Sequence, residues 1–522
     1  MMLHDTRAMD SAHPRYFLGD SRWLLYAALN LVVGAVLTVG AAMGGSFAEL
    51  PYLLLLFAIC SSPLPFIGAL NGAYAVLAVA MMYHFVEFGL LDVVHLFYPT
   101  TNTPTSTGFV TPGELLIVIG ALVKVISFQA VMLFTNTGAN RGDSKDWPPK
   151  ILLLFGICMW LASSALNLYQ ALYLQIDNSN AALGSAYTKL GPWGTDAFLL
   201  ITNYMGPMGI MMLAYWWSVW KRRGSTVLML VIIATQFVVG WIIDTKEVAV
   251  GAPFIILLTR FITLGRVPMR WVIPSILGIV LVFPVLTAKR IIVTEYLGLT
   301  RAQALSHVGE ILWRAITEQG EVRQGKYGQK SQSFLERATD KGAIEMFVAH
   351  VGQDKPYKMG ATLDQLLYVF VPRVAWSEKP GDNSSQTFNR DFHLSEDPDT
   401  HISPTFLGEL YWNFGYAGAV LGTALLGVIF GYVVKRFDPS TGTSITRVLV
   451  IIVTLYQTAI GQGGQIELAY VLWIRMLVLI WLMHLLLARP TRHTAKPVDE
   501  AAGRVGSGTM STRPLRFENL LE

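Results

Sequence analysis

The chain has 522 residues, of which 53% are hydrophobic and only 14% are charged, and its formal net charge is +4. With a mean hydropathy of +0.47, this composition excludes a soluble globular protein and is typical of a chain that crosses a membrane many times. The two cysteines, Cys60 and Cys158, fall within or beside apolar segments. Neither a disulfide framework nor a thiolate metal cluster is therefore indicated.

Apolar segments long enough to cross the hydrocarbon, which takes about 20 residues each, recur along most of the chain. They are predicted near residues 23–44, 50–69, 71–90, 113–136, 150–175, 196–217, 225–243, 249–264, 272–288, 412–434, 447–463 and 468–488. The predicted fold class is an all-α polytopic membrane protein with about 12 transmembrane helices. About nine of them would form a bundle over residues 23–288, and about three more a bundle over 412–488.

Short loops between alternate spans carry Lys and Arg, as the positive-inside rule expects of cytoplasmic loops. Five basic clusters fall on one face of the predicted topology: Arg7, Arg15 and Arg22; Arg141, Lys145 and Lys150; Lys221, Arg222 and Arg223; Arg260, Arg266 and Arg270; Lys435, Arg436 and Arg447. The N-terminal residues 1–22 and the tail, residues 489–522, are therefore both predicted to be cytoplasmic. The basic tail, rich in Gly, Ser, Thr and Pro, is predicted to be disordered.

One long hydrophilic segment, residues 289–411, falls on the opposite face. Apolar residues recur at helical spacing over 305–316, 333–351 and 362–370. We expect short amphipathic helices there, lying against the membrane, because an unstructured loop of this length would be unusual.

Two cations of this loop each stand next to a proline, which restricts the backbone: Arg373 follows one and Lys379 precedes one. An arginine suits bidentate binding of phosphate and a lysine adds a point charge, so together they would bind a pyrophosphate. The alternative is that both are solvated loop charges. Arg337 has a similar pair of interpretations, because it could approach the same site or pair with Glu336 or Asp340.

A carboxylate, Glu409, stands at the entrance to the tenth predicted span, four residues before Asn413. A helix would place both on one face, and ionisable groups at membrane depth usually have a function. The alternative is a carboxylate stabilised at a helix N-terminus by the dipole. His401 is a candidate general base, or simply a polar surface residue.

Small and polar residues mark other spans. Glycines with small-xxx-small spacing predict close packing of the tenth span against another helix: Gly415, Gly418, Gly422, Gly427 and Gly431. Lys246, in a short loop on the face of the long segment, is a candidate second substrate contact, and Lys124 could face a cavity inside the membrane. An amphipathic helix end, rather than a metal site, is the preferred interpretation of four residues at helical spacings: His84, Glu87, Asp92 and His95.

Four features in this order resemble the Wzy-type O-antigen and oligosaccharide repeat-unit polymerases. They are Asp-Thr-Lys-Glu at 244–247, Arg337 in an amphipathic stretch, Val-Pro-Arg-Val-Ala-Trp-Ser-Glu-Lys-Pro at 371–380, and Gly-Glu-Leu-Tyr-Trp-Asn-Phe-Gly-Tyr-Ala-Gly at 408–418. The resemblance covers roughly residues 241–433.

The resemblance implies a glycosyltransferase at the outer face of a bacterial inner membrane. It would transfer a growing glycan from undecaprenyl pyrophosphate to the next lipid-linked repeat unit, building an O-antigen, capsule or exopolysaccharide. The implied partners are these lipid-linked substrates, membrane lipids and a candidate chain-length regulator, with no nucleic acid. No metal or cofactor is expected, since pyrophosphate is a good leaving group.

The same resemblance implies roles for individual residues. The departing pyrophosphate would be neutralised by cations: Arg373, Lys379, Arg337 and Lys246. Glu409 or His401 would orient or deprotonate the acceptor hydroxyl, and the sugar path would be lined by Tyr411, Trp412 and Asn413. Three alternatives remain: an O-antigen ligase that shares the architecture and donor, a transporter of lipid-linked glycans, and a metal-dependent glycosyltransferase that uses lipid-phosphate sugars. The last is disfavoured, because such enzymes normally have acidic residues in the first outer loop and this loop holds only Glu49.

Overall fold

A computed structural model describes the following parts of the chain: residues 21–44, 47–66, 71–97, 110–135, 145–174, 200–220, 224–243, 246–264, 289, 292–293, 303, 306–317, 341–368, 371, 375–376, 384–394, 402–437, 444–459 and 466–490. Within these residues the secondary structure is almost entirely helical. The helices are α1 (Ser21–Gly44), α2 (Leu50–Ser61), α3 (Asn71–Phe97), α4 (Pro112–Phe134), α5 (Pro149–Tyr169), α6 (Gly206–Trp220), α7 (Ser225–Ile243), α8 (Lys246–Leu264), α9 (Val308–Thr317), α10 (Lys341–His350), α11 (Ser384–Phe392), α12 (Phe406–Arg436), α13 (Ile445–Ala459) and α14 (Ile466–Leu487).

Six of these helices are long and apolar enough to cross a membrane: α1, α4, α5, α7, α12 and α14. Four shorter apolar stretches accompany them, at Leu50–Phe66, Val76–Leu90, Gly251–Leu264 and Ile445–Tyr456. Many large apolar side chains on the long helices are exposed, which is the surface that a lipid environment favours. The chain is therefore an all-α membrane-embedded protein.

The helix bundle has two ends, which we name by what lies there. At the loop face, Lys341 of the long hydrophilic segment meets Glu49, Asp92 and Glu114. At the tail face, the Lys435 ammonium donates to the Met132 carbonyl at 2.7 Å and to that of Thr135. Two short strands, β1 (Lys145–Asp146) and β2 (Arg489–Pro490), pair antiparallel there.

The helices of the bundle alternate in direction between these faces. Gly40 of α1 packs against Phe97 at the end of α3, while α5 and α6 run antiparallel, with Gly156 beside Leu213 and Gly206 beside Ser163. Lys289 donates to the Trp241 carbonyl at 2.6 Å, near the loop-face end of α7. The span predicted at 272–288 lies outside the described residues.

The long segment contains helices in the described part of each region predicted to be amphipathic. They are α9, α10 and a 3-10 turn at Asp364–Tyr368.

The tenth span differs from its predicted form, which began at residue 412. Helix α12 begins at Phe406 and is interrupted at Gly415, whose φ of 64° and ψ of −157° are non-helical. That conformation is accessible essentially only to glycine.

At Gly415 the chain folds back on itself. Residues 406–414, which we call the fold-back helix, lie against the start of the segment 416–436. A Cβ atom added at Gly422 would lie 2.5 Å from Leu410 Cδ1, and one at Gly418 would lie 3.0 Å from the Leu410 carbonyl oxygen. In one straight helix, residues 410 and 422 would be about 18 Å apart.

The glycines of α12 thus serve two packing contacts, where the sequence predicted one. Gly418 and Gly422 make room for the fold-back helix of the same chain. Gly427 and Gly431 allow close approach of α4, since a Cβ at Gly427 would lie 2.7 Å from the Lys124 carbonyl oxygen.

Candidate functional site

The fold-back helix contains the motif Gly-Glu-Leu-Tyr-Trp-Asn-Phe, and both its ends have unusual backbone geometry. Thr405, its N-cap, has a φ of 59° and a ψ of 155°, and its hydroxyl accepts from the Gly408 amide at 3.0 Å. A positive φ is a genuine outlier for a β-branched residue. Thr405 and Gly415, one at each end of the fold-back helix, are thus both in sparsely populated conformations. Such conformations cluster at functional sites.

The long segment binds the C-terminal end of the fold-back helix. The last carbonyls of a helix lack intrahelical partners. Here the Trp412 carbonyl accepts from the Lys358 amide at 3.0 Å, and the Asn413 carbonyl accepts from the Met359 amide at 3.1 Å. The Asn413 side chain adds two bonds, accepting from the Gly360 amide at 2.8 Å and donating to the Thr362 hydroxyl at 2.7 Å.

Trp412 is fully buried in an aromatic cluster that joins three loop-face elements. Its ring stacks on Phe347 of α10 at 5.2 Å between centroids and contacts Phe388 and Phe392 of α11. The Lys358 ammonium lies 5.1 Å from the Trp412 ring centre and 2.8 Å from an Asp391 carboxylate oxygen. Asn413 and Trp412 therefore fix the long segment to the bundle, and neither side chain is exposed.

Glu409 is also fully buried. Its Oε2 accepts from the Ile466 amide at 2.8 Å, at the first residue of α14. A carboxylate at a helix N-terminus is stabilised by the dipole and binds an amide without an intrahelical partner. Asn413 donates to the Glu409 backbone carbonyl rather than to its carboxylate. Tyr411, nearly buried, packs its ring edge-on against Tyr416 at 5.0 Å.

A second polar cluster lies close by at the loop face, and the sequence did not predict it. The Lys341 ammonium lies 3.0 Å from Glu49, 3.1 Å from Asp92, 2.5 Å from Glu114 and 3.7 Å from Glu345. We call these five residues the Lys341 cluster. It joins α10 to the loop-face ends of α2, α3 and α4, and so sets the position of Phe347 against Trp412.

Burial and the neighbouring charges together shift the pKa values of residues in this cluster. Burial raises the pKa of Glu49 to about 7, and the nearby carboxylates Glu114 and Asp92 add to that effect while Lys341 opposes it. Burial raises the pKa of Glu345 as well. For Lys341, burial favours the neutral form, but Asp92, Glu49 and Glu114 together outweigh it and raise the pKa.

Three of these carboxylates could in principle bind a metal ion, because ligand oxygens of Glu49, Asp92 and Glu114 lie within 4.8 Å of one another. The Lys341 ammonium contacts all three, so the donor set already has its own cation.

One local signal of this cluster was available in the sequence. Thr111 and Glu114 form a capping box at the start of α4, which places Glu114 at the end of its helix.

Several predicted site residues lie outside the described residues, namely Arg337, Arg373, Lys379 and His401. Lys246 is the first residue of α8, and its side chain is not described. The structure thus brings together Glu409, Tyr411, Trp412 and Asn413, while the convergence of the loop cations with them stays a prediction.

The sequence suggested an amphipathic helix end for the polar residues of α3. The structure instead has polar residues in the middle of α3, and also in the middle of α4. His84, Glu87 and Lys124 are each almost completely buried within the bundle. Charge interaction links Lys124 to Glu87. Of the four residues considered together in the sequence, Asp92 belongs to the Lys341 cluster instead.

Comparison with known proteins adds no relative. No family model matches the chain, and neither a curated protein nor a solved structure is detectably similar to it.

Proposed function

We propose that the protein is a polysaccharide polymerase that joins undecaprenyl-pyrophosphate-linked oligosaccharide repeat units. The observation that carries this proposal is the fold-back helix. It is a buried polar and aromatic motif with unusual backbone geometry at both ends, fixed to a long hydrophilic segment where the bundle ends. A substrate with a lipid anchor and a charged pyrophosphate would present its reacting atoms at this depth.

The proposed orientation places the loop face outside the bacterial inner membrane and the tail face in the cytoplasm. If helices α1 to α8 and α12 to α14 each cross the membrane, they give eleven crossings, and the predicted span 272–288 would add a twelfth. With twelve crossings, both termini would lie in the cytoplasm. The basic residues at Lys435 and Arg436 then lie on the cytoplasmic side, in agreement with the positive-inside rule.

In the proposed reaction, an acceptor hydroxyl of one lipid-linked unit attacks the anomeric carbon of the donor glycan. The new glycosidic bond forms as the bond to the pyrophosphate oxygen breaks, and the hydroxyl proton passes to a base. Arg373, Lys379 and Arg337, with Lys246 as a further contact, would neutralise the charge on the leaving undecaprenyl pyrophosphate.

Burial affects which residue we assign as base. Glu409 is inaccessible and binds the start of α14, so we assign it to positioning the fold-back helix and assign the base to His401. Tyr411, Trp412 and Asn413 would then support the sugar path rather than form its open wall, because all three are buried.

The test is reconstitution of the purified protein in liposomes with an undecaprenyl-pyrophosphate-linked repeat unit. A ladder of polymer should form, and Arg373→Ala should abolish it while the protein stays monodisperse. Arg314→Ala, which removes an exposed pair with Glu310, should leave the ladder unchanged. Absence of polymer with the unaltered protein would contradict the proposal. In liposomes that also contain lipid A core, transfer to that core without polymer would indicate a ligase.

A transporter of lipid-linked glycans is the second candidate, and one observation favours it. Ionisable residues buried at membrane depth often mark transport pathways, and His84, Glu87 and Lys124 meet that description. Movement of fluorescent lipid-linked glycan across the same liposomes, without polymer, would support it.

A further inference from the structure

We propose that the turn at Lys358–Ala361 inserts the Met359 side chain into the lipid leaflet at the loop face. The long segment would then contact the bilayer at a defined point next to the fold-back helix. This inference concerns the lipid surface itself and does not depend on the proposed reaction.

The turn has a geometry that presents its tip outward. The Ala361 amide donates to the Lys358 carbonyl at 3.0 Å, and the two central residues, Met359 and Gly360, have φ values of 51° and 92°. Positive φ at both central positions is the pattern of a type I′ turn, which favours Asn, Asp and Gly. A methionine there is unusual, and it is 76% exposed.

The position of this turn along the membrane normal follows from α12. Lys435 marks the tail-face end, because it binds the last carbonyls of α4. Gly418 lies 17 residues before Lys435, a rise of about 26 Å, while the hydrocarbon is about 30 Å thick. A Cβ at Gly418 would touch Phe414, and one at Gly360 would lie 3.3 Å from Phe414. The turn therefore lies near the boundary of the hydrocarbon.

The turn is also on the lipid side of α12. Exposed apolar residues repeat along this helix at helical spacing: Leu421, Leu425, Val428 and Tyr432. Such a stripe on a membrane helix faces lipid. Gly418 precedes Leu421 by three residues and so lies at the border between this stripe and the face that packs against the fold-back helix. Phe414, itself partly exposed, and Met359 continue this surface beyond Gly418.

The alternative occupants of an exposed methionine are water and a partner protein. Continuity with the lipid-facing stripe favours lipid. The Lys358 ammonium is already bound by Asp391, at 2.8 Å, and by the Trp412 ring, so the contact with lipid is made by the apolar side chains of Met359 and Phe414.

The test is a fluorescent label at residue 359. Exposed Cys158 is first replaced by Ala, while Cys60 is buried and stays. Met359→Cys is labelled with an environment-sensitive nitrobenzoxadiazole dye, and the purified protein is placed in nanodiscs with doxyl-labelled lipids. Gln353→Cys, at an exposed polar turn of the same segment, is the matched control.

We expect blue-shifted emission at position 359, strong quenching by shallow doxyl groups and weak quenching by aqueous iodide. The control should show the reverse. Both labelled proteins must elute as single species and unfold at the temperature of the parent. Emission and quenching at 359 equal to those at 353 would overturn the inference. Quenching by doxyl groups requires contact with the labelled lipid, so it cannot report a protein partner.

Discussion

At the scale of single residues, the Lys341 ammonium joins the helix ends that meet at the loop face. It contacts four carboxylates, two of them nearly buried. Removing one partner of a buried ion pair leaves uncompensated charge. Lys341→Met should therefore lower the free energy of unfolding by roughly 3–5 kcal/mol, measured by thermal or denaturant unfolding in detergent.

The matched control is Arg314→Met, because the Arg314 pair with Glu310 is largely exposed. Exposed pairs contribute at most about 1 kcal/mol. Equal effects of the two substitutions would contradict the role given to Lys341.

Glu49 makes the same cluster sensitive to pH. Its pKa of about 7 in the folded protein lies above its ordinary value of 4.5. The folded protein thus holds this proton more tightly than the unfolded chain, and the stabilisation is present below about pH 4.5 and lost as pH rises through about 7. The charged groups that interact with Glu49 are Asp92 of α3, Glu114 of α4 and Lys341 of α10.

Glu49→Gln mimics the protonated side chain. We expect the variant and the parent to have similar unfolding temperatures near pH 4.5, and the variant to be the more stable at pH 8. Parallel stability curves over this range would show that Glu49 does not carry the pH dependence.

At the scale of elements, the fold-back helix predicts energetic coupling between residues that a straight helix would separate. Gly422→Ala places a methyl group against Leu410, and such overpacking typically costs about 1–3 kcal/mol. Leu410→Ala should relieve that contact, so the double variant should be more stable than the sum of the single effects by about 0.5–3 kcal/mol. A double-mutant cycle on unfolding free energies measures this difference.

Gly427→Ala combined with Leu410→Ala is the control for that cycle. Gly427 faces the α4 backbone at Lys124 and not the fold-back helix. The two effects should add, whereas coupling as large as that of Gly422 would argue against the fold-back.

The sequence predicted the apolar helices because hydropathy and helical spacing are local. The capping box of Thr111 and Glu114 is another local signal, at the start of α4, although the predictions from the sequence did not use it. The sequence did not predict the break at Gly415, since a glycine in an apolar helix equally suits close packing. Nor did it predict the Lys341 cluster, whose hydrogen bonds to Glu49, Asp92 and Glu114 join residues 292, 249 and 227 positions apart.

At the scale of the whole molecule, the pair of β1 and β2 brings the approach to α5 next to the residues that follow α14. Asp146 and Arg489 are register partners, and such partners lie about 4.5–5.5 Å apart between Cα atoms. This spacing allows a disulfide. With Cys158 replaced by Ala, Asp146→Cys with Arg489→Cys should cross-link on oxidation, as detected by mass spectrometry of the joined peptides.

Asp146→Cys paired with Gln353→Cys tests the opposite expectation. Residue 353 belongs to the long segment at the loop face, so this pair should not cross-link within one molecule. A cross-link between them would contradict the assignment of the two faces.

The Lys341 cluster also has a consequence for synthesis of the protein. Its three bundle carboxylates are made before their ammonium, by 227 to 292 residues. At about 5–20 residues per second, roughly 10 to 60 s of translation separate Glu49, Asp92 and Glu114 from Lys341. During that interval, the emerging chain must keep these groups protonated or hydrated, so the first helices leave the ribosome with an acidic end that only a much later helix neutralises.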